Sequence, residues 1–174
     1  IKQALDNVSA NVMVADKDLN IVYMNDAVRK MMGNAERDIQ KDLPVFRVDT
    51  LMGTNIDLFH KNPAHQRRLL LNQTSNAQST FLLGGRTLSV NANPVRDAAN
   101  ERIGTVVEWK DRTEEVAIEN EIRTIIEQAA AGNLSMRATE ADRSGFFLAM
   151  SRGLNQLMNI CEDVIATQVR TMEA

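Results

Sequence analysis

The pattern of hydrophobic and polar positions predicts a strand hairpin near the start of the chain. Residues 11–16 and 21–25 are short runs rich in apolar and β-branched side chains. The tetrapeptide 17–20 between them is polar and rich in Asp and Asn, which is typical of a turn. We therefore expect the two runs to pair as antiparallel strands.

Helices are expected on both sides of this hairpin. Residues 1–9 carry apolar side chains at helical spacing, as in a short amphipathic helix. After the hairpin, Asn25 or Asp26 can cap a helix through residues 27–32, and Gly33 is expected to end it.

The pattern is weaker between residues 34 and 54 and becomes clear again afterwards. A short helix is expected at residues 36–40, followed by a loop broken by Pro44. Pro63 then opens a helix that carries residues 67–71. We expect the apolar face of this helix to pack against a sheet.

Three further strands are predicted before the last third of the chain. A Gly84-Gly85 turn separates the first from the second, and a polar loop precedes the third. Five strands in two groups, with helices inserted between the second and third, predict an α+β fold with an antiparallel sheet and helices over one face. Such a cup has room for a ligand. The three strands occupy residues 78–83, 86–93 and 103–110, and the loop occupies residues 97–101.

Trp109 is expected on the covered face of this sheet. In the last strand, the period-two rule places it on the same side as Val107 and Ile103. From the pattern alone, its role is packing in the core.

After Thr113 the chain changes to a helical pattern without proline. Two seams of apolar residues step by three and four, as in coiled coils, and Gly132 is expected to stop the first helix. Cys161 lies on the second seam and is interpreted as a small buried hydrophobe. The seams are Ile118, Ile122, Ile125 and Ala129 and, after a cap at Asp142, Phe147, Met150, Leu154, Leu157, Cys161 and Val164.

Geometry allows these two helices to lie parallel. The connector, residues 133–141, can stretch to about 30 Å, whereas a helix of about 16 residues is about 24 Å long. The connector can therefore run back along the first helix. Because two isolated amphipathic helices cannot bury both seams, we expect a second copy to complete a four-helix bundle.

Composition and charge narrow the functional classes. The chain has 174 residues, of which 44% are hydrophobic and 25% charged, as expected for a folded domain with an appendage. A net charge of −3 without a basic patch argues against a nucleic-acid partner. No apolar run approaches the roughly 20 residues of a membrane-spanning helix, and no signal pattern opens the chain.

The cysteine content, the chain ends and the missing motifs add three expectations. A single cysteine cannot form an internal disulfide, so the cytoplasm is the expected compartment. Both ends lie in helix-like sequence without caps, so we expect a piece of a longer protein that lacks its output domain. An enzyme is the least expected function, because no phosphate loop, nucleophile elbow or metal-hydrolase motif is found.

Both histidines, His60 and His65, lie on either side of Pro63. Imidazole is the commonest protein ligand of a metal or haem iron, and one axial nitrogen can hold a haem. A four-ligand zinc site is not expected, because the only cysteine lies far along the chain. From the residues alone, the commoner role for either histidine is that of a surface or hydrogen-bonded core side chain.

The order of elements, the strand ending in Glu108-Trp109 and the terminal Asp111-Arg112-Thr113 resemble a PAS sensor domain, whose closing motif is Asp, any residue, Thr. The connector 132–137 and residues 153–158 resemble a HAMP domain. Together they are similar to the signalling modules of bacterial methyl-accepting chemotaxis receptors. The resemblance assigns residues 1–113 to a PAS sensor domain, 114–168 to a HAMP signal-relay domain and 169–174 to the start of a following helix.

Within that family, the chain is most similar to the haem-containing PAS domains of soluble, oxygen-sensing Aer-type receptors. The resemblance implies b-type haem, with His60 as the axial iron ligand and His65 as the second choice. It also implies that Trp109 donates a hydrogen bond to bound oxygen and that Val90 lines the distal pocket. The expected contacts of the haem propionates are His65, Arg67 and Arg68.

The resemblance also implies a signalling mechanism. Oxygen, or another diatomic gas, would recruit Trp109 and shift the last strand. Asp111 and Thr113 would then pass this shift to the first HAMP helix. A homodimer formed through the HAMP helices would control a chemotaxis kinase and its coupling protein through the missing output domain.

Two alternatives to the haem hypothesis remain open. The PAS domain could serve dimerisation and relay without a ligand, with methionines such as Met13 and Met24 filling the cup. It could also bind flavin or another small ligand, although one Tyr, one Trp and five Phe leave little aromatic surface for a flavin.

Overall fold

The computed structural model describes residues 2–71 and 75–172. The chain divides into two compact units, Ile1–Thr113 and Glu114–Ala174. The first residue of the predicted lead-in helix and the last two residues of the predicted terminal segment lie outside the described ranges. No helix within these ranges is both long and apolar enough to span a membrane.

The first unit is built on a five-stranded antiparallel sheet, which confirms the predicted α+β architecture. The strands follow the order β2-β1-β5-β4-β3, so the last strand lies at the centre of the sheet. The β3–β4 hairpin turns at Gly84 and Gly85, with φ of +60° and +85°, values that glycine adopts without steric cost. The strands are β1 (Asn11–Asp16), β2 (Ile21–Met24), β3 (Ala77–Leu83), β4 (Arg86–Arg96) and β5 (Arg102–Asp111).

Helices cover one face of this sheet and accompany its first hairpin. Buried strand residues such as Met13 and Leu88 form one apolar cluster with Val28 and Met32. The helical elements are α1 (Lys2–Asp6), α2 (Asp26–Ile39), two 3-10 helices (Val48–Thr50 and Ile56–Phe59) and α3 (Pro63–Leu71).

The predicted helix end at Gly33 is wrong. Helix α2 continues through Gly33, and the separate helix expected at residues 36–40 is its last turns. The reason lies in packing, because Met32, Ala35 and Ile39 extend one buried stripe past the glycine. Burying these side chains outweighs the cost of glycine inside a helix, which is about 1 kcal/mol.

Ile103 departs from the predicted alternation along β5. Its side chain is 50% exposed, whereas Val107 and Trp109 line the interior. The β4–β5 register shifts between Val95 and Arg96, and this irregularity leaves Ile103 without a register partner. A bulge of this kind reorients the extra residue, here Ile103. The alternation of side chains along β5 therefore holds only after Ile103.

The second unit contains two long helices, α4 (Thr113–Ala130) and α5 (Gly145–Met172). The predicted stop near Gly132 is confirmed, and Gly132 has a φ of +91°. Helix α5 begins at Gly145 and not after an Asp142 cap, because Asp142 has a φ of +61° and lies in a turn. The helix is continuous through Met172.

Polar contacts attach the connector between α4 and α5 to both helices. Glu121 of α4 accepts hydrogen bonds from the Thr139 backbone N at 3.0 Å and from Thr139 Oγ1 at 2.7 Å. Arg143 forms an ion pair with Glu121 and donates to Ser151 Oγ of α5 at 2.6 Å. The connector is therefore an ordered part of this unit.

Helix α5 buries only part of the predicted seam, together with Met158, which lies outside the seam. Leu154 and Met158 pack with Ile125 in one cluster, whereas Leu157 and Val164 are 52% and 51% exposed. Cys161 is half-buried and not fully buried as predicted. A single α4 covers only one side of α5, so these two seam residues face outward in one copy of the chain.

Asn25 joins the start of the chain to the sheet and to α2. Its side chain is fully buried, and Oδ1 accepts hydrogen bonds from the backbone N atoms of Val12 and Val28, both at 3.0 Å. Nδ2 donates to the carbonyl oxygens of Leu5 at 3.1 Å and Ala10 at 2.7 Å. One amide therefore caps α2 and fixes the position of α1.

Replacing Asn25 with alanine should lower the free energy of unfolding of the first unit by about 2–4 kcal/mol. The change removes a helix cap and leaves buried backbone groups without partners. Urea titration followed by the fluorescence of Trp109, the only tryptophan in the chain, measures the loss. Asn34→Ala, at an exposed position of α2, is the matched control. Equal midpoints for the two variants would contradict this role for Asn25.

Candidate functional site

A largely apolar cavity lies between the inner face of the sheet and the elements that cover it. Its volume is about 390 Å³, and residues of all five strands, α2, α3 and the 3-10 helix Ile56–Phe59 line it. A cavity of this kind suits a ligand that is mostly apolar and has a few polar groups. The lining side chains that carry polar atoms are His60, Lys61, Gln66, Ser79, Thr105 and Trp109.

His60 directly follows the 3-10 helix Ile56–Phe59, and we call residues 56–60 the His60 turn. The Nδ1 atom of His60 lies 2.7 Å from the carbonyl oxygen of Ile56. Because a carbonyl oxygen only accepts hydrogen bonds, Nδ1 carries the proton and Nε2 keeps a free lone pair in the neutral ring. His60 therefore lines the cavity with a ring that has a nitrogen available to bind a metal.

His65 lies in a different environment. It is exposed near the start of α3, and its Nδ1 is 3.3 Å from the guanidinium of Arg68. It is not among the described residues that line the cavity. Of the two histidines, the structure brings only His60 to the cavity.

Trp109 and Val90 lie side by side on the cavity face of the sheet. They are register partners on β5 and β4, and the rings of Trp109 and Phe81 meet edge to face with centroids 6.2 Å apart. The Nε1 atom of Trp109 is buried and has no hydrogen-bond partner among the described residues. Because a buried donor without an acceptor costs about 1–3 kcal/mol, the cavity favours a ligand that supplies an acceptor there.

The two arginines expected near an acidic group of the ligand do not line the cavity. Arg67 forms an ion pair with Asp57 at 2.7 Å, and Arg68 is exposed beside His65. Each of these side chains therefore has its contacts outside the cavity lining.

Lys61 and Gln66 line the cavity instead, and sequence analysis did not single them out. Lys61 is the residue after the candidate ligand. Gln66 lies four residues before Leu70, another lining residue of α3. Residues four apart lie on the same face of a helix, so the spacing of Gln66 from Leu70 was the signal that could have identified Gln66.

These groups fit a largely apolar cofactor that brings its own metal, such as haem. One neutral imidazole is enough for an axial ligand, and the ammonium of Lys61 is a suitable partner for carboxylates. The described residues contain no cluster of three or more His, Cys, Asp or Glu side chains that could hold a metal ion. The donor set at the cavity therefore suits a metal held mainly by the cofactor itself.

Asp111 and Thr113 lie where β5 ends and α4 begins. Asp111 Oδ1 accepts a hydrogen bond from the Thr113 backbone N at 3.0 Å, and Oδ2 accepts one from Arg86 Nη1 at 2.7 Å. Thr113 Oγ1 accepts from the backbone N of Thr87 at 3.0 Å. Arg86 Nε donates to Asp38 Oδ2 of α2 at 2.7 Å. These contacts join the end of β5 to β4 and to α2.

The same contacts control the ionisation of the two carboxylates. Burial raises the pKa of Asp111, but hydrogen bonds from Thr113 and the ion pair with Arg86 outweigh burial and lower this pKa below its usual range. Hydrogen bonds from Lys41 and Arg86 lower the pKa of Asp38. Both carboxylates are therefore ionised at neutral pH and remain partners of Arg86.

Comparison with known proteins finds a PAS domain in the first unit. The family model PAS_8, described as a PAS domain, matches residues 1–63. The methyl-accepting chemotaxis protein McpB of Pseudomonas aeruginosa strain PAO1 is 54% identical over 162 residues, which are 93% of this chain and 24% of McpB. The chain therefore spans about a quarter of the length of this curated relative.

Two solved structures share the fold of the first unit. One is from the Aer2 receptor of Vibrio cholerae, described as a dual PAS-heme oxygen sensor, with a TM-score of 0.54 and 33% identity over 59% of this chain and 93% of that one. The other is the PAS domain of BvgS from Bordetella pertussis, with a TM-score of 0.50 and 16% identity over 73% of this chain and 94% of that one. The second likeness concerns the fold alone.

Replacing Asp111 with asparagine should lower the free energy of unfolding by about 1–3 kcal/mol at pH 7, because charge-assisted hydrogen bonds to Arg86 are weakened. The pKa of Asp111 is lower in the folded chain. Its contribution is therefore complete above the unfolded value of about 3.9 and is lost as the pH falls through the folded value.

The measurement is a series of urea titrations from neutral to acid pH, followed by Trp109 fluorescence. The difference between the wild type and Asp111→Asn should be largest at neutral pH and disappear in strong acid. Asp49→Asn, at an exposed carboxylate, is the control and should stay close to the wild type. A difference for Asp111→Asn that does not change with pH would contradict the ion pair as its cause.

Proposed function

This chain carries a PAS domain and is a homologue of a methyl-accepting chemotaxis protein, and on that basis we propose that its first unit senses a diatomic gas through b-type haem. Oxygen is the proposed gas, because the similar Aer2 structure is described as an oxygen sensor. The proposal assigns the chain a role in signal transduction and no catalytic reaction.

One observation supports this proposal most directly. The same apolar cavity is lined by an imidazole whose Nδ1–H is already engaged and by an indole whose buried N–H has no partner among the described residues. The first group suits an axial metal ligand. The second suits an electron-rich acceptor on a small molecule, since indole nitrogen can only donate.

The chain's own residues take distinct roles in this proposal. Haem, when bound, supplies an iron with a free position for a diatomic gas. His60 would hold the iron through Nε2, and its bond to the Ile56 carbonyl would keep the ring in one tautomer. Trp109 would donate to the gas, and Val90 beside it would limit the room available. Lys61 is the best placed cation for the haem carboxylates.

His65, Arg67 and Arg68 were expected near those carboxylates from the family resemblance. His65 and Arg68 are exposed and contact each other. The proposed role of His65 and Arg68 is therefore confined to propionates that extend out of the cavity.

We further propose that Asp111 and Thr113 pass the signal to a HAMP-type relay. The hydrogen bonds of both residues lie at the end of the strand that carries Trp109. A movement of Trp109 would therefore act on these bonds through a short length of backbone. The relay would require two alternative packings of the helical unit.

Contacts within the second unit support the HAMP assignment. Arg143, just before α5, pairs with Glu121 in the first half of α4. Glu162 and Ile165, further along α5, line a surface groove with residues that follow the end of α4. Helices in this arrangement run in the same direction. The outward apolar stripe of α5 supports a homodimer that buries it in a four-helix bundle.

The partners of the whole protein follow from its relationship to chemotaxis receptors. A chemotaxis kinase and its coupling protein are the proposed targets of the relay, and the cytoplasm is the proposed location.

Absorption spectra of the protein supplied with haem test the proposal. The wild type should show a Soret band that shifts when the reduced protein meets oxygen, and His60→Ala should lose this band because the axial ligand is gone. His65→Ala is the matched control and should keep it. A band lost only in His65→Ala would move the ligand to His65. No band in the wild type would leave an unliganded PAS domain or one that binds another ligand.

Replacing Trp109 with leucine should leave haem bound but speed release of oxygen by about 10- to 100-fold, since a hydrogen bond to a polarised acceptor is worth about 1.5–3 kcal/mol. Stopped-flow absorption of the oxygenated protein measures this rate. Phe81→Leu, which removes the neighbouring ring without removing a donor, is the control. If Trp109→Leu loses haem instead, Trp109 is a packing residue.

A further inference from the structure

Asn55 fixes the start of the His60 turn to the β1–β2 hairpin. Its Nδ2 donates to the carbonyl oxygen of Asp18 at 2.8 Å and to Asn20 Oδ1 at 2.9 Å. Its Oδ1 accepts from the backbone N of Asp57 at 3.1 Å. The first part of the His60 turn is therefore attached to the connection between β1 and β2.

An ion pair attaches the same turn to α3. Nε and Nη2 of Arg67 each lie 2.7 Å from Asp57 Oδ2, and Nη2 also donates to Asn55 Oδ1 at 3.5 Å. The backbone carbonyl of Asp57 also accepts a hydrogen bond from the backbone N of His60 at 3.2 Å. The Arg67–Asp57 pair therefore joins the two ends of the segment 57–67, which contains His60.

The carboxylate of Asp57 depends strongly on this one cation. Its Oδ1 atom is buried and has no hydrogen-bond partner among the described residues, so the contacts of the side chain are made through Oδ2. Removing Arg67 would leave a partly buried negative charge without its partner. Water can reach this carboxylate, whose side chain is 28% exposed, but the carboxylate would no longer tie the turn to α3.

We propose that Arg67 is a positioning residue for His60 and acts through Asp57, an inference that rests on the proposed haem function. Arg67 holds the His60 turn so that the Nδ1–H of His60 meets the Ile56 carbonyl and Nε2 keeps one orientation. It does not act as a direct partner of the haem carboxylates. This role explains why an arginine so close to the cavity is absent from its lining.

The test compares haem binding in Arg67→Met, Asp57→Asn and the double variant. Arg37→Met, at an exposed position of α2, is the matched control. Two quantities are measured on the full chain: the rate of haem transfer to an apoprotein acceptor, and the iron–histidine stretching frequency of the reduced protein. Arg67→Met and Asp57→Asn should each speed haem loss about tenfold and lower the stretching frequency. The double variant should add little to either single change, because both remove the Arg67–Asp57 pair and the other contact of Arg67, with Asn55 Oδ1, is long at 3.5 Å.

Haem dimethyl ester separates positioning from direct contact. If Arg67 acts through Asp57, the difference between the wild type and Arg67→Met persists when the propionates are esterified. A difference that disappears with the ester would overturn the inference and make Arg67 a propionate contact. Equal haem loss and equal stretching frequency in the wild type and Arg67→Met would also overturn it.

Two further measurements keep the outcomes distinct. Arg67→Lys retains the charge and should recover most of the wild-type frequency, and it serves together with Asp57→Asn if Arg67→Met does not fold. A wild type that takes up no haem counts against the proposed function itself and, with it, against this inference. That outcome is recognised by the absence of a Soret band before any variant is compared.

Discussion

The arrangement of the first unit depends on the ion pairs of the Arg86 guanidinium. It bridges Asp38 at the end of α2 and Asp111 at the end of β5, each at 2.7 Å. The helix must approach the β3–β4 hairpin closely for this, and a Cβ on Gly84 would lie only 1.9 Å from the Asp38 carbonyl oxygen. Gly84 and Arg86, both at the β3–β4 hairpin, thus fix the position of α2 over the sheet. They also fix the end of β5, where the chain leaves the sheet.

Side-chain amides of two asparagines connect the central strand, β5, to the start of the chain. Asn11 Nδ2 donates to the Trp109 carbonyl oxygen at 2.9 Å, and Asn25 contacts the residues on either side of Asn11. The backbone of Trp109 is thus connected to α1 through two asparagines, while Asp111 connects the same strand to α2. The strand that carries the Trp109 indole is therefore attached to both α1 and α2.

Local signals made much of this fold predictable. Alternating apolar positions and the Gly84-Gly85 turn located the strands because hairpins depend on neighbouring residues. The path of α2 through Gly33 and the buried stripe of α5 depend on distant surfaces, which no local pattern encodes. In the site, side-chain chemistry identified both histidines as candidate ligands, but only the family resemblance favoured His60 over His65. The lining position of Lys61 and the engagement of Arg67 by Asp57 are distances between parts of the folded chain, and sequence alone could not supply them.

The outward apolar stripe of α5 has a consequence for how the molecule behaves in dilute solution. Leu157, Ile160, Val164 and Ile165 are each at least half exposed in one copy. If a second copy covers them, part of the stability of the helical unit comes from association and follows mass action. The stability of the helices would then rise with protein concentration, whereas that of the first unit, whose core lies within one chain, would not.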